Sequence, residues 1–517
     1  MRIRIRLHRF DPSRDEVPRY EEYELDLDPK ASVLDALRVV QERYDPTLAF
    51  DYSCRRGVCG TCGVRINGVP MLACQTTIEN LAKIFGNCVT IEPLKSFKLV
   101  RDLSVDRSKP LRELDRLRPW LHRSEPYVAP ETMDPAKARE LQEVRKCIHC
   151  LLCVDACPVK EVAGTGFGGP LTLRILATYA RDPRDSLDRF SIAYSEGLYL
   201  CLVCDGCTAS CPQEIEIGKL VIELRAGCWS RGLVHHKVRD AVEGIKDEEF
   251  GNPLWLPRED RGKWVEGLEV SNRGKVLLFA GCMASYVDHQ SVVPLAKVLK
   301  SLGMEFRVLG SEEYCCGLPL LLAGDLEGFK EVASKNFETF RSLGIERIVT
   351  PCPSCYRTFK TLYRQYAGID LSEIGIEVVH FTQLLYELWN RGVLKLGKLR
   401  GVVTYHDPCD LGRHEGVYEE PRALIEALGL ELVEMKRCRN YARCCGAGGN
   451  VRIADPELSL RVAELRLRED LPPNVSMIIH TCPTCRVQLE EGSQRLGLEI
   501  ENVSLAKLVA KSMGLEG

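Results

Sequence analysis

Apolar and polar residues alternate from the start of the chain: Ile3, Ile5 and Leu7 are separated by Arg4 and Arg6. A second alternation sets Tyr23, Leu25 and Leu27 among Glu24, Asp26 and Asp28. This period of two predicts two half-buried strands, joined by a polar loop containing Pro12 and Pro18. Ser32 stands at an N-cap position before a helical pattern from Val33 to about Tyr44. Residues 101–145 are charged and carry prolines, which predicts a connector with a helix near 135–146. Residues 170–196 again have helical spacing. Residues 229–273 read as a second charged connector, with Trp229, Trp255 and Trp264 as packing anchors.

From Lys275 the pattern is duplicated, one copy running to about Asn390 and the other from Gly401 to about Ser512. Each copy opens with a short apolar strand (276–280; 402–405) that leads to a cysteine. A double cysteine follows, in Tyr314-Cys315-Cys316-Gly317 and Arg443-Cys444-Cys445-Gly446. A further strand (348–350; 477–480) ends in Pro351-Cys352-Pro353-Ser354-Cys355 or Thr481-Cys482-Pro483-Thr484-Cys485. Matching cysteines lie 127 residues apart at 282 and 409, 129 at 315 and 444, and 130 at 352 and 482. Helical patterns between the strands predict an α/β unit per copy, with cysteines on loops at strand ends.

The 517 residues are enough for several cores, and 45% apolar with 28% charged residues is ordinary for a globular chain. A net charge of −3 offers no footprint for nucleic acid or an anionic membrane. No apolar run approaches the ~18 residues of a transmembrane helix. The basic and apolar N-terminus lacks a signal-peptide core, so a cytoplasmic protein is expected, with peripheral association at the inner membrane face left open. The 25 clustered cysteines change the picture. A chain this long needs no disulfide staples, and clustered thiols point to metal ligation in a reducing compartment.

Cys54, Cys59, Cys62 and the later Cys74 follow the plant-type [2Fe–2S] spacing, in a glycine-rich loop able to aim backbone N–H groups at sulfur. Zinc is the lesser alternative, since zinc pairs usually read C-x2-C twice. Cys147, Cys150, Cys153 and Cys157-Pro158, then Cys201, Cys204, Cys207 and Cys211-Pro212, are two copies of C-x2-C-x2-C-x3-C-P. In that two-cluster pattern the fourth cysteine ligates the other cluster. One [4Fe–4S] cluster is therefore assigned Cys147, Cys150, Cys153 and Cys211, and the other Cys201, Cys204, Cys207 and Cys157. The duplicated copies supply Cys282, Cys315, Cys316, Cys352 and Cys355, and Cys409, Cys444, Cys445, Cys482 and Cys485. Five thiols per copy exceed the four of a tetrahedral zinc or an ordinary cubane, so spacing alone gives two thiolate-rich metal sites of unusual geometry. Zinc in one copy stays open. Cys88, Cys228 and Cys438 stand apart and read as buried inert thiols. Gly164-Thr165-Gly166-Phe167-Gly168-Gly169 lacks the lysine and serine of a phosphate loop and reads as a flexible turn. His406, His414 and His480 lie near second-copy cysteines, either as proton donors in thiol chemistry or as structural residues.

Through 53–74 (SCRRGVCGTCGVRINGVPMLAC) and 91–106 (IEPLKSFKLVRDLSVD), residues 1–228 resemble the iron–sulfur subunits of succinate dehydrogenases and fumarate reductases. The resemblance implies a β-grasp [2Fe–2S] domain joined to a helical two-cluster ferredoxin domain, docked on a flavoprotein (FAD) subunit. Those subunits usually carry a [3Fe–4S] cluster where one cysteine is absent. Cys204 fills that kind of position, which implies [4Fe–4S] here. Residues 275–512 resemble the Cys-Cys-Gly domains of heterodisulfide reductase catalytic subunits. That resemblance implies two noncubane [4Fe–4S] clusters on the ten duplicated cysteines, with a disulfide cleaved or formed between them. The fused arrangement resembles the iron–sulfur B-subunit family of thiol:fumarate reductases.

The expected architecture is α+β and α/β multidomain. It comprises a β-grasp domain at 1–105, a helical two-cluster domain at 106–230, a linker at 231–273, and Cys-Cys-Gly domains at 274–395 and 396–517. The resemblance implies a subunit that passes electrons between thiols, or a disulfide, and a flavoprotein that interconverts fumarate and succinate. The alternatives are a pure relay whose Cys-Cys-Gly domains contact membrane and quinone, or a relay for a 2-hydroxy-acid or glycerol-phosphate dehydrogenase. The latter families also fuse ferredoxin and Cys-Cys-Gly domains, but an N-terminal [2Fe–2S] domain is not expected in them. If every group fills as assigned, anaerobically purified chain should carry about 18 irons. Elemental analysis near 10 irons with stoichiometric zinc would remove iron from the duplicated sites.

Overall fold

The computed structural model describes residues 1–125, 129–270 and 273–515. The chain divides into two compact units. Met1–Leu198 with Asp205–Leu224 form the first, and Tyr199–Cys204 with the chain from Arg225 onward form the second. No helix among the described residues is long and apolar enough to cross a membrane.

In the first unit the alternating N-terminus becomes β1 (Arg2–Arg9) and β2 (Arg19–Asp26), an antiparallel pair. They join β3 (Gly63–Ile66), β4 (Val69–Leu72) and β5 (Cys88–Glu92) in a mixed sheet of order β2-β1-β5-β3-β4. Ile3, Ile5 and Leu7 are buried, as their spacing requires. Ser32 caps helix Val33–Arg43 reciprocally: its hydroxyl accepts from Asp35 N at 3.2 Å, and its own N–H donates to the Asp35 carboxylate at 3.0 Å.

The stretch from 98, read as the end of one domain and a connector, folds as a hairpin of β6 (Lys98–Arg101) and β7 (Ser104–Asp106). Asp102 at its tip is buried and accepts from Arg9 Nε at 3.1 Å, Phe10 N at 2.9 Å and Ala49 N at 2.9 Å. Helix Pro135–Arg145 forms where expected, capped by Asp134. Helices Pro170–Ala180 and Arg189–Ser195 fill the stretch with helical spacing. The glycine run at 164–169 is ordered: Phe167 is buried and Gly168 N donates to Glu196 O at 2.9 Å.

The second unit contains both repeats. The first has four parallel strands, β8 (Val276–Leu278), β9 (Phe306–Arg307), β10 (Arg347–Thr350) and β11 (Glu377–His380), in the order β11-β10-β8-β9. The second has β12 (Val402–Tyr405), β13 (Glu431–Leu432), β14 (Met477–His480) and β15 (Glu501–Ser504), parallel in the order β13-β12-β14-β15. In each copy the third strand lies beside the first, so the copies share one topology. The central strands are apolar and buried (Ile348 and Val349; Ile478 and Ile479), as parallel sheets covered on both faces require. One apolar cluster, with Leu278, Val349, Val403 and Ile479 among its members, runs through both copies.

Two segments of the expected linker form helices. Helix His236–Lys246 buries Val238, Ala241, Val242 and Ile245, and a 3₁₀ segment, Arg258–Val265, buries Arg261 and Trp264. Trp255 is 43% exposed, its ring lying against Phe250 with a 5.1 Å centroid separation, so it covers a surface rather than anchoring a core.

Arg225, in helix Ile217–Trp229, is completely buried. Its guanidinium donates to Leu322 O at 2.7 Å in the first repeat, Gly449 O at 2.9 Å in the second and Cys201 O at 2.8 Å. Removing it strands one buried and two partly buried acceptors, at ~1–3 kcal/mol for the buried one and less for the others. Arg225→Met should therefore lower the unfolding free energy by about 2 kcal/mol or more, read as a reduced denaturant midpoint at unchanged slope. A loss below ~1 kcal/mol would show that water replaces the guanidinium.

Candidate metal centres

The loop after helix Val33–Arg43 gathers the first cysteine group. Three backbone N–H groups point at Cys54 Sγ, from Arg56 at 3.4 Å, Val58 at 3.3 Å and Cys59 at 3.3 Å. Cys54 N donates in turn to Cys59 Sγ at 3.5 Å, and the Gln75 amide reaches Cys74 Sγ at 3.7 Å. Burial opposes ionisation of Cys59, but hydrogen bonds from Thr61 and Cys54 outweigh it and bring the thiol down to about 6. Burial pushes Cys62, which is hydrogen-bonded to Cys74, up to about 12. A nest of N–H donors around sulfur fits an anionic [2Fe–2S] cluster better than a neutral thiol set.

Cys147, Cys150, Cys153 and Cys211 line one small cavity in the same unit, so the fourth cysteine of the second motif does join the first three of the first. His149 and Leu151 adopt left-handed backbone to turn the loop around it. Burial among like thiols holds Cys153 well above the usual thiol range and Cys150 at about 11. Such a cost is relieved when a metal takes the protons' place.

Arg107 joins this loop to the preceding one, donating to Gly60 O at 2.8 Å, Thr61 O at 2.9 Å and Cys150 O at 3.5 Å. The Arg65–Asp155 ion pair, 2.5 Å long and buried, fixes the helix that carries Cys153. Of the remaining ferredoxin-type cysteines, Cys157 and Cys207 fold with the first unit, and Cys201 and Cys204 with the second. Cys157 Sγ accepts from Lys160 N at 3.5 Å.

All ten duplicated cysteines line a single cavity of about 180 Å³ in the second unit. The two copies hold them alike. Gly317 N donates to Cys315 Sγ at 3.4 Å and Gly446 N to Cys444 Sγ at 3.5 Å. Cys352 and Cys482 each precede a helix with proline in its first turn. In each copy the second cysteine of the pair is driven toward thiolate: Cys316, at about 5, by Cys315 and Cys355, and Cys445 by Cys444 and Cys485. Five converging thiols with these donors fit a thiolate-bound iron–sulfur group in each copy.

The second copy also touches the ferredoxin-type motif. Cys444 is pushed up first by its hydrogen bond with Cys204, then by Cys409 and Cys445. Arg413 donates to Cys204 O at 2.7 Å. A Cβ on Gly449 would fall 2.2 Å from Cys201 O, so the backbones are in direct contact.

Sequence reasoning missed the charges around these thiols. Arg261, from the expected linker, is buried, donates to Glu313 at 2.8 Å and approaches Cys282 Sγ at 3.6 Å. Glu313 also accepts from Ala280 N at 3.0 Å and Gly281 N at 2.9 Å, fixing the turn that carries Cys282. Asn336 holds Cys315 O at 2.9 Å and the Tyr363 hydroxyl at 2.9 Å. An acidic residue two places before a cysteine pair was the only available signal.

Of the three histidines, His406 reaches Cys445 and Cys485, with all three donor atoms within 4.8 Å. His480 lies behind it, bonded to Asn502 at 2.9 Å, and burial holds it near 3. His414 lies 4.0 Å from Asp410. Cys228 is buried as expected, whereas Cys88 is exposed on β5, where strand alternation turns it outward.

Three segments match known families: residues 4–112 a 2Fe-2S iron-sulfur cluster binding domain, 143–215 a 4Fe-4S dicluster domain, and 276–360 with 403–490 a cysteine-rich domain. The chain is 33% identical to an uncharacterized iron-sulfur protein of Methanocaldococcus jannaschii, over 98% of this chain and 99% of that protein. It is 30% identical to a subunit of the fumarate reductase (CoM/CoB) of Methanothermobacter marburgensis, over 96% of each. It is also 31% identical to a subunit of the dihydromethanophenazine:CoB–CoM heterodisulfide reductase of Methanosarcina acetivorans, over 73% of this chain and 96% of that one. These relatives make the chain an iron–sulfur oxidoreductase subunit.

Gly446, between the second cysteine pair and its helix, has φ +103°, and a Cβ there would lie 2.3 Å from Ser459 O. Gly446→Ala should displace Cys445 and reduce iron to about 14 per chain. Gly497→Ala, at φ +64° with no neighbour within 4 Å, carries the backbone strain without the collision and should retain about 18.

Proposed function

The chain belongs to the same family as the fumarate reductase (CoM/CoB) subunit of Methanothermobacter marburgensis, and from that premise we propose that it oxidises paired thiols and passes their electrons to a flavoprotein that reduces fumarate. The observation that carries this reading is the single cavity lined by all ten duplicated cysteines. Because both thiol sets open on this one space, groups held by the two copies would face each other across it, where a pair of substrate sulfurs could meet both. The overall reaction balances. Two thiols lose two protons and two electrons as one sulfur–sulfur bond forms, and fumarate takes up two electrons and two protons to become succinate.

The chain's own residues would divide the work. The ten duplicated cysteines would hold two noncubane [4Fe–4S] clusters, one in each copy. Arg357 and Asp410, paired at 2.9 Å, and Ser354, bonded to Asp410 at 2.6 Å, give the cavity a polar wall to orient the thiols. Cys204, seated against Cys444, is the way out of the repeats. Arg107 keeps the Cys54–Cys62 loop on the loop of Cys150, which would serve electron passage toward the flavoprotein. Bound at these sites, iron–sulfur clusters would supply one-electron steps between a two-electron thiol couple and a two-electron flavin.

The test is thiol-driven fumarate reduction by the anaerobically purified complex with its flavoprotein. Cys204→Ala should cut that rate by at least ~100-fold while an artificial donor to the flavoprotein still drives fumarate reduction near normally. Cys316→Ala and Cys445→Ala should give the same split and also abolish the spectral change caused by added thiol, which Cys204→Ala should keep. Undiminished thiol-driven turnover in the Cys316 and Cys445 variants would make the repeats a relay or an anchor.

A further inference from the structure

Among the described residues of the first unit, the buried arginines are Arg9, Arg65, Arg174 and Arg189. Three of them arrive with a carboxylate: Arg9 with Asp102 at 3.1 Å, Arg65 with Asp155 at 2.5 Å and Arg189 with Asp185 at 2.8 Å. Arg174 has no carboxylate partner among the described residues, although only 6% of it is exposed. Its Nε has no hydrogen-bond partner there either. Its Nη2 lies 3.3 Å from Nε2 of His149. Partial burial and Arg174 hold that imidazole below its usual range, so it accepts the hydrogen bond as a neutral group and supplies no counter-charge.

Arg174 faces the cavity of Cys147, Cys150, Cys153 and Cys211, which it lines together with Leu171, three positions before it on helix Pro170–Ala180. Arg107 meets the same loop at the Cys150 carbonyl, 3.5 Å away, and stands outside the cavity lining. Burial and neighbouring thiols hold Cys153 well above the usual thiol range, and Arg174 pulls the other way.

A buried guanidinium without a counter-charge gives up hydration and gains little in return. Arginine cannot shed its proton to escape that cost, so an anion has to complete the site. Four thiolates around a [4Fe–4S] core are anionic in both oxidation states, and more so after reduction. A fixed cation beside them therefore stabilises the reduced state more than the oxidised one, and burial keeps solvent from screening the difference. We propose that Arg174 is the counter-charge of the [4Fe–4S] cluster on Cys147, Cys150, Cys153 and Cys211, raising its reduction potential so that it accepts electrons more readily than its thiolates alone would permit. The cluster gains one electron from the carrier before it and loses one to the carrier after it. Arg174 exchanges no proton and forms no bond in that step. This role rests on the assignment of a cluster to those four cysteines and is independent of the thiol reaction proposed above.

The experiment is a redox titration of the anaerobically purified full chain followed by electron paramagnetic resonance, with iron counted in every sample. The signal lost or converted in Cys153→Ala identifies the cluster. Arg174→Gln should lower its midpoint potential by at least ~59 mV, a tenfold change in a one-electron equilibrium, at unchanged iron. Arg174→Lys, which keeps the charge, should stay near the original value. His149→Phe removes the hydrogen-bond partner, leaves the cation and should also stay near it. If Arg174→Gln loses iron, a full complement in Arg174→Lys supports the proposal. Equal iron loss in both overturns it, because the shape of the side chain rather than its charge would then hold the loop. An unmoved potential in iron-replete Arg174→Gln overturns it too, as does an equal drop in His149→Phe, which would make the imidazole the source. If Cys153→Ala leaves every [4Fe–4S] signal in place, the cluster assignment falls and the proposal with it. Potentials that move as expected without thiol-driven turnover support the proposal and strike only the reaction.

Discussion

Arg225 is the contact on which the arrangement of the second unit depends. One buried guanidinium satisfies carbonyls from the first repeat, the second repeat and the Cys201 loop. The Leu322 carbonyl lies in the last turn of the short helix Leu318–Ala323, where the helix itself offers no donor, and those of Gly449 and Cys201 lie in loops, and a buried acceptor left open is costly. Only a side chain with several donors in a rigid plane can serve three acceptors that converge from different segments. The arrangement also needs Gly449, because any Cβ there would collide with Cys201 O. Arginine and glycine together bring the backbone carrying Cys201 and Cys204 against the second repeat. The Cys204–Cys444 contact follows from that approach.

The first unit uses the same device. Arg107 donates to carbonyls of the Cys54–Cys62 loop and of Cys150, and the Arg65–Asp155 pair crosses from strand β3 to the helix that carries Cys153. Cysteine loops have few side chains of their own to pack, since their residues are spent on ligation and on turns. Holding two of them at a fixed separation therefore falls to cations reaching in from elsewhere, and these add a positive field beside groups that become anionic on metal binding.

This division explains what the sequence could disclose. Cysteine spacing is legible because a ligand set fixes residue positions locally, and Cys147, Cys150, Cys153 and Cys211 do meet in one cavity. The duplication is legible for the same reason, and both copies fold with one strand order. The strands at 2–9 and 19–26 and the Ser32 cap follow from period and propensity. The arginines were illegible: among 70 Lys and Arg residues, nothing local separates Arg107, Arg225 or Arg261 from a solvated charge, because their role exists only in tertiary contact. For the same reason the charged stretch 231–273 concealed a helix whose narrow buried face is Val238, Ala241, Val242, Gly244 and Ile245, and the short hairpin at 98–106 looked like connector. Cys88 shows the converse error, since a thiol's general preference for burial gave way to strand alternation.

Duplication normally yields two equal sites, and here the shared backbone keeps the thiols equivalent while the interior behind them has been exchanged. Replacing an aromatic packing face by Arg466 and Asp470 is costly, because each buried ion gives up hydration that only a well-formed pairing offsets. In the first repeat the Phe279, Phe340 and Phe359 rings pack edge to face in the matching place. The α/β frame accepts both interiors because its strand order and the turns that carry the cysteines are set by backbone bonds, and the side chains behind them are free to change as long as buried ions arrive with partners.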